Sequence, residues 1–190
     1  MNDALKEISD SFGDPENPKT SKIDHDTVIK WMKETDLNTL GAIYSLLLRR
    51  VYTKRITPEL TFDEYFYFFK GYYNRCLIEN PISDDIDSYL MSRYNAGWDL
   101  SSWITHIGTD KNIPLHYLSQ IKKWLETLYI NNGDDIRTCL THAVFEHMFG
   151  NKKIAKFFRD WKKHPILAAA YEEAMDFARW SNRVDRDKDK

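Results

Sequence analysis

Glycine and proline are scarce in this chain, at 7 and 6 of its 190 residues, and they lie mostly between segments whose apolar residues recur at helical spacing. This pattern is typical of helices joined by short loops. No segment alternates apolar and polar residues between hairpin turns, which is the pattern that predicts a strand. The sequence therefore predicts an all-α fold, an irregular multi-helix bundle of about eight helices in a single domain.

Capping residues and helix breakers predict where the domain begins and ends. The run at residues 13–18 (GDPENP) favours a loop, so we interpret residues 1–22 as a partly disordered N-terminal extension. The helical domain then covers residues 23–181, and its last helix ends near Trp180. Residues 182–190 alternate in charge, which is typical of a disordered charged tail. We also expect helix starts at these capping residues: Asp24 or Asp26, Asp36, the Thr61/Glu64 capping box and Asn151.

The charge balance and the apolar segments limit the possible environments of the chain. Its 27 basic and 29 acidic residues give a net charge of −2, so no global field favours nucleic acid or an anionic membrane. The longest apolar run, at residues 42–48, is too short to cross a bilayer. The first twelve residues lack the apolar core of a signal peptide. Cys76 and Cys139 lie in apolar helical stretches and are interpreted as reduced core thiols. We therefore expect a soluble, cytoplasmic protein.

The segment THAVFEH contains the residues that most resemble a catalytic group. His142 and Glu146 are four residues apart, so they share a helix face and can form a proton-transfer pair or an ordinary hydrogen bond. His142 and His147 are five apart, whereas the zinc-protease motif needs histidines four apart on one face. His147 falls on the apolar face and is predicted to be a core histidine.

Two polar stripes are the candidate binding surfaces. A basic stripe follows Asn151 and can bind phosphates or an acidic protein face, or can simply be a solvated helix face; it consists of Lys152, Lys156, Arg159 and Lys163. A second stripe lies on the long helix predicted over residues 84–107 and is either a groove or a solvated face; it consists of Asn95, Asp99, Ser102 and His106, beside Trp98. Gly97, inside the same helix, favours the close approach of a neighbouring helix.

The motifs of most cofactor-dependent enzymes are missing from the sequence. We find no phosphate-binding loop, dinucleotide fingerprint, nucleophile elbow or cysteine pair at zinc spacing. No cofactor and no metal are therefore predicted. The favoured function is a non-catalytic protein-interaction module, because aromatic and arginine side chains dominate binding hot spots. The alternatives are a nucleic-acid-associated protein that uses the basic stripe, and an enzyme that uses His142 and Glu146.

Two segments resemble a loose group of uncharacterised bacterial all-helical proteins, some of which are immunity proteins for toxins. They are residues 89–103 (YLMSRYNAGWDLSSW) and residues 138–178 (TCLTHAVFEHMFGNKKIAKFFRDWKKHPILAAAYEEAMDFA). The resemblance implies a bacterial cytoplasmic protein of immunity or adaptor type, whose partner is another protein. It assigns no active-site residue. The oligomeric state and the identity of the partner stay open.

Overall fold

The described residues are mostly helical and contain almost no strand, which confirms the all-α prediction. The computed structural model describes residues 3–14, 17, 18, 20–80 and 92–188. The chain divides into two compact units, Met1–Cys76 (unit 1) and Leu77–Lys190 (unit 2). Within the described residues, no helix is both long enough and apolar enough to span a membrane.

Unit 1 combines helices with two very short strand pairs. Its helices are α1 (Asp3–Phe12), α2 (His25–Trp31), α3 (Leu37–Leu47), α4 (Arg50–Thr53) and most of α5 (Phe62–Glu79). Strand β1 (Gly13–Asp14) pairs antiparallel with β2 (Asn17–Pro18), and β3 (Ile23–Asp24) pairs parallel with β4 (Ile56–Thr57). Each strand has only two residues, which is too short to show the alternation of apolar and polar residues from which strands are predicted.

The helix starts in unit 1 are set by the side chains that the sequence singled out. Asp24 accepts a hydrogen bond from the backbone of the first turn of α2, and Asp36 does the same for α3. At α5 the capping box forms: the Thr61 backbone N–H donates to Glu64 Oε2 at 2.7 Å, and the Glu64 N–H donates to Thr61 Oγ1 at 3.3 Å. These caps satisfy backbone donors that the helix itself leaves unpaired.

The N-terminal helix α1 is part of the core of unit 1. Ile8 and Phe12 are buried, and the Phe12 ring lies 5.2 Å from the Tyr52 ring and 6.0 Å from the Trp31 ring. The sequence predicted a partly disordered extension over residues 1–22. The buried face of α1 shows that the compact unit begins earlier, at the first described residues.

Unit 2 consists of helical segments, some joined by short loops and three of them, between Asp134 and Met148, directly continuous. Its segments are α6 (Arg93–Thr109), α7 (Leu115–Asn131), α8 (Asp134–Cys139), a π-helical turn (Leu140–Phe145), α9 (Glu146–Met148), α10 (Lys152–Phe157), a 3₁₀ turn (Arg159–Lys163) and α11 (Leu167–Lys188). The start predicted for the long helix, near Asp84, lies outside the described residues. Helix α11 runs to Lys188, beyond the end predicted near Trp180.

Gly97 lies where α6 packs against the π-helical turn. A Cβ atom at this position would stand 2.7 Å from Ala143 Cβ, which is closer than two carbon atoms approach without strain. The close helix approach predicted from Gly97 is therefore confirmed.

Replacing Gly97 with alanine is expected to destabilise the protein by about 1 to 3 kcal/mol, because one extra methyl group must push the two helices apart. Gly71 in α5 is the matched control, since a Cβ there meets nothing within 4 Å. Gly71→Ala should stabilise by about 1 kcal/mol at most, through helix propensity alone. Urea denaturation followed by circular dichroism measures both changes. Equal midpoints for the two variants would contradict the tight packing at Gly97.

Candidate functional site

The π-helical turn decides which side chains of the THAVFEH segment face the solvent. At its C-terminal end, the Glu146 N–H donates to the Thr141 carbonyl, five residues back. A π turn accommodates one more residue than an α turn, so every later side chain moves by one position around the axis. As a result Glu146 points inward, at 9% exposure, and His147 is exposed. The prediction that His147 is a core histidine is wrong for this reason.

His142 and Glu146 form the pair that their spacing predicts. His142 Nδ1 lies 2.7 Å from Glu146 Oε1, and the two side chains are 44% and 10% exposed. The second ring nitrogen, Nε2, faces Glu173 Oε1 of α11 at 3.9 Å. Glu173 was not among the predicted site residues, because spacing along one helix gives no information about a residue on another.

A basic groove lies where α10, the 3₁₀ turn and α11 meet, and its volume is about 840 Å³. Four cationic side chains line it, namely Lys152, Lys156, Arg159 and Arg179. The rest of the lining is largely apolar or aromatic and is supplied by Phe149, Ala155, Tyr171, Met175 and Ala178, with Gly150. An apolar surface ringed by positive charge suits a ligand with both apolar and anionic groups.

The acidic residues next to the groove are already paired with other cations. Asp160 pairs with Lys122, and Glu172 lies 2.8 Å from Lys162 Nζ. Arg179 is paired with Asp176 at 2.7 Å. Among the side chains that the structure describes, which on α11 end at Ser181, no carboxylate lies within ion-pair distance of the three basic-stripe residues in the groove. Those three are Lys152, Lys156 and Arg159, and they carry the net positive charge of the groove.

Lys163 belongs to the predicted basic stripe but does not line the groove. The prediction of this stripe assumes a continuous α-helix, in which residues four apart lie one above the other. The segment after Phe158 is a 3₁₀ turn instead. Because such a turn has three residues per revolution, Lys163 lies about a third of a turn away from Arg159 around the axis.

The floor of the groove is fixed by buried contacts. The Tyr171 hydroxyl donates a hydrogen bond to the Ala155 carbonyl at 2.9 Å and so ties α11 to α10. The Tyr171 ring also lies 4.9 Å from the Phe149 ring. Asn151 caps α10 by accepting hydrogen bonds from the backbone of its first turn. These contacts hold the cationic side chains on a rigid support.

The polar stripe on α6 does not converge on one site. Trp98 and Ser102 line a shallow groove of about 520 Å³ together with Ser101, Thr105 and His147. Asp99 and His106 are exposed, Asn95 is half-buried, and none of the three belongs to that lining. The stripe is therefore mostly a solvated helix face, which was one of its two interpretations.

The described residues of unit 2 thus carry two groupings that can do chemistry. The basic groove can bind an anionic group beside an apolar one, and the His142–Glu146–Glu173 cluster can hold a proton or a cation. Neither the basic groove nor the shallow groove has His142 in its lining. Comparison of the chain with protein-family models, with curated proteins and with solved structures gave no match.

Proposed function

We propose that this protein is a protein-interaction module that binds an acidic segment of another protein in its basic groove. The observation that carries the proposal is a set of three cations in an apolar groove, Lys152, Lys156 and Arg159, that have no carboxylate partner among the side chains described up to Ser181. Complementary charge sets the orientation of such a partner and speeds its association. The apolar floor supplies a buried surface for an aliphatic or aromatic side chain of the partner segment.

An acidic protein segment fits the groove better than a nucleic acid does. Nucleic-acid backbones are bound by cations that follow the phosphates over an extended surface. Here the ion pairs of Asp160 and Glu172 neutralise the cations next to the groove. The whole chain is also slightly acidic, with a net charge of −2. The immunity-type or adaptor role and the bacterial, cytoplasmic setting stay predictions.

The test uses a fluorescently labelled peptide that alternates glutamate with leucine and phenylalanine, and its binding is followed by anisotropy. We expect saturable binding that weakens with salt. The double variant Lys156→Glu/Arg159→Glu should lose about 100-fold in affinity. This magnitude follows because each reversal is expected to cost about 1.4 kcal/mol, a factor of about ten.

The matched control is Lys153→Glu/Lys163→Glu, which reverses the same number of charges on exposed side chains outside the groove lining. Its affinity for the peptide should stay within about threefold of the wild type, because exposed charges outside the groove are screened. Equal losses of peptide affinity in the two double variants would show that binding depends only on net charge, which would contradict a specific site in the groove. Binding of single-stranded RNA or DNA without binding of the peptide would instead favour the nucleic-acid alternative.

A further inference from the structure

The surroundings of His142 differ from those of His25, the other described histidine with two close carboxylates. His25 Nδ1 lies 3.2 Å from Asp26 and its Nε2 lies 3.0 Å from Glu64, so both ring nitrogens are within hydrogen-bond distance of an acceptor. His142 has one such contact, through Nδ1 to Glu146 at 2.7 Å. Its Nε2 lies 3.9 Å from Glu173 Oε1, which is too far for a hydrogen bond.

The Glu146 contact determines which nitrogen of His142 can accept a ligand. A carboxylate accepts hydrogen bonds, so Nδ1 carries the hydrogen and donates a hydrogen bond to Glu146 Oε1. In the neutral ring, Nε2 then presents its lone pair toward the Glu173 carboxylate. Two lone-pair atoms that face each other across 3.9 Å are stabilised by a cation placed between them.

The separation also fits such a cation. When metal–ligand bonds are about 2.0 to 2.2 Å long, two ligands of one tetrahedral ion lie about 3.3 to 3.6 Å apart. The ligand atoms of His142, Glu146 and Glu173 all lie within 4.8 Å of one another. Glu173 is 58% exposed, so a small rotation of its side chain closes the remaining gap.

We propose that His142 and Glu173 bind a divalent transition-metal ion such as Zn²⁺, and that Glu146 acts as a positioning residue for the imidazole. A carboxylate that holds the outer N–H of a metal-bound histidine fixes the ring and raises its basicity. One nitrogen and one carboxylate oxygen suit Zn²⁺, Co²⁺ or Ni²⁺ better than Mg²⁺, which prefers oxygen ligands and keeps its water. Water completes the coordination on the exposed side. This site is independent of the basic groove.

The buried thiols do not compete for the ion. Cys76 and Cys139 are both buried, and burial raises the pKa of the Cys139 thiol to about 12. Cys139 is therefore a protonated thiol at neutral pH. Because thiolates rather than thiols bind metals, it does not bind the ion. Zn²⁺ binding in the folded protein therefore reports on histidine and carboxylate side chains.

The experiment is isothermal titration calorimetry of the full, tag-free chain with ZnCl₂, repeated with MgCl₂. The wild type should bind Zn²⁺ saturably with a stoichiometry of one per chain and should give no heat with Mg²⁺. His142→Ala and Glu173→Gln should each remove this binding. Glu146→Gln should weaken it by about tenfold, the loss typical of an outer-shell partner, without lowering Tm in the absence of metal.

His147→Ala is the matched control, because it removes an exposed histidine next to Glu146 that lies outside the cluster. It should bind Zn²⁺ like the wild type. Glu173→Gln changes only an exposed side chain, so it keeps the test valid if His142→Ala fails to fold. No saturable Zn²⁺ binding in the wild type would mean that His142 and Glu173 form only a long ion pair. That outcome would overturn the proposal, as would unchanged affinity in Glu173→Gln.

Discussion

Replacing Trp161 with alanine is expected to lower the free energy of unfolding by about 3 to 5 kcal/mol, the range for truncating a large buried aromatic residue. Trp161 is 1% exposed. Its ring lies 4.7 Å from the ring of Phe158 and 5.1 Å from that of Phe145. Because the surrounding rings are themselves held by other contacts, they cannot collapse fully into the cavity that alanine leaves.

Trp161 also makes a polar contact that a second variant isolates. Its Nε1–H donates to Glu126 Oε1 at 2.6 Å. Trp161→Phe keeps an aromatic ring but removes the donor, which leaves a half-buried carboxylate without this partner. We expect this variant to lose about 1 to 3 kcal/mol, less than Trp161→Ala.

Urea denaturation followed by far-ultraviolet circular dichroism measures both variants, because tryptophan fluorescence changes when a tryptophan is removed. The control is Trp180→Ala, since Trp180 is 56% exposed and should cost no more than about 1 kcal/mol. If Trp161→Ala and Trp180→Ala shift the midpoint equally, the buried aromatic cluster around Trp161 does not stabilise unit 2 as described.

The predictions that succeeded rest on local physics. Asp36 and the Thr61/Glu64 box cap helices because the bonds involve residues three positions apart, and such bonds are set by the sequence alone. Gly97 likewise indicated a close approach before its partner was known. The identity of that partner, Ala143, depends on how two helices pack and was not available from either helix by itself.

Two predicted side-chain positions, those of His147 and Lys163, differ from the structure for one physical cause, a change in helix type. His147 was placed in the core and Lys163 on the basic stripe by assuming 3.6 residues per turn throughout. A π turn precedes His147 and a 3₁₀ turn contains Lys163. Nothing in the residue types of these segments marks such turns, because tertiary packing selects them. Glu173 was missed for a different reason, since it reaches His142 from another helix.

Arg55 carries the second large expected effect. It follows a basic run at the end of α4, where an exposed cation is typical. In the structure Arg55 is buried, and its guanidinium group spans three backbone carbonyls of the N-terminal segment. Nε donates to Ser21 O at 2.8 Å, and the terminal nitrogens donate to Phe12 O at 3.2 Å and Ser11 O at 2.7 Å.

Replacing Arg55 with methionine should cost about 3 kcal/mol or more, because hydrogen bonds from a charged donor contribute about 1.5 to 3 kcal/mol each and are not fully additive. Arg55→Lys should recover less than half of this loss, since one ammonium group cannot reproduce the planar fork. The loss should be local as well as global. In the variant, the carbonyls of Ser11 and Phe12 regain hydrogen bonds with water only if the end of α1 separates from the side chain at position 55.

Hydrogen exchange of the backbone amides of α1 (Asp3–Phe12) tests this local effect. We expect Arg55→Met to lose protection in α1 before the rest of unit 1 unfolds, because a segment with few remaining contacts opens at low free energy. Arg50→Met is the control, since Arg50 is exposed on α4 and its removal should leave α1 protected. If the α1 amides exchange equally slowly in both variants, the buried face of α1 alone holds this helix. In that case the Phe12 contacts with Trp31 and Tyr52, rather than the Arg55 bonds, determine where unit 1 begins.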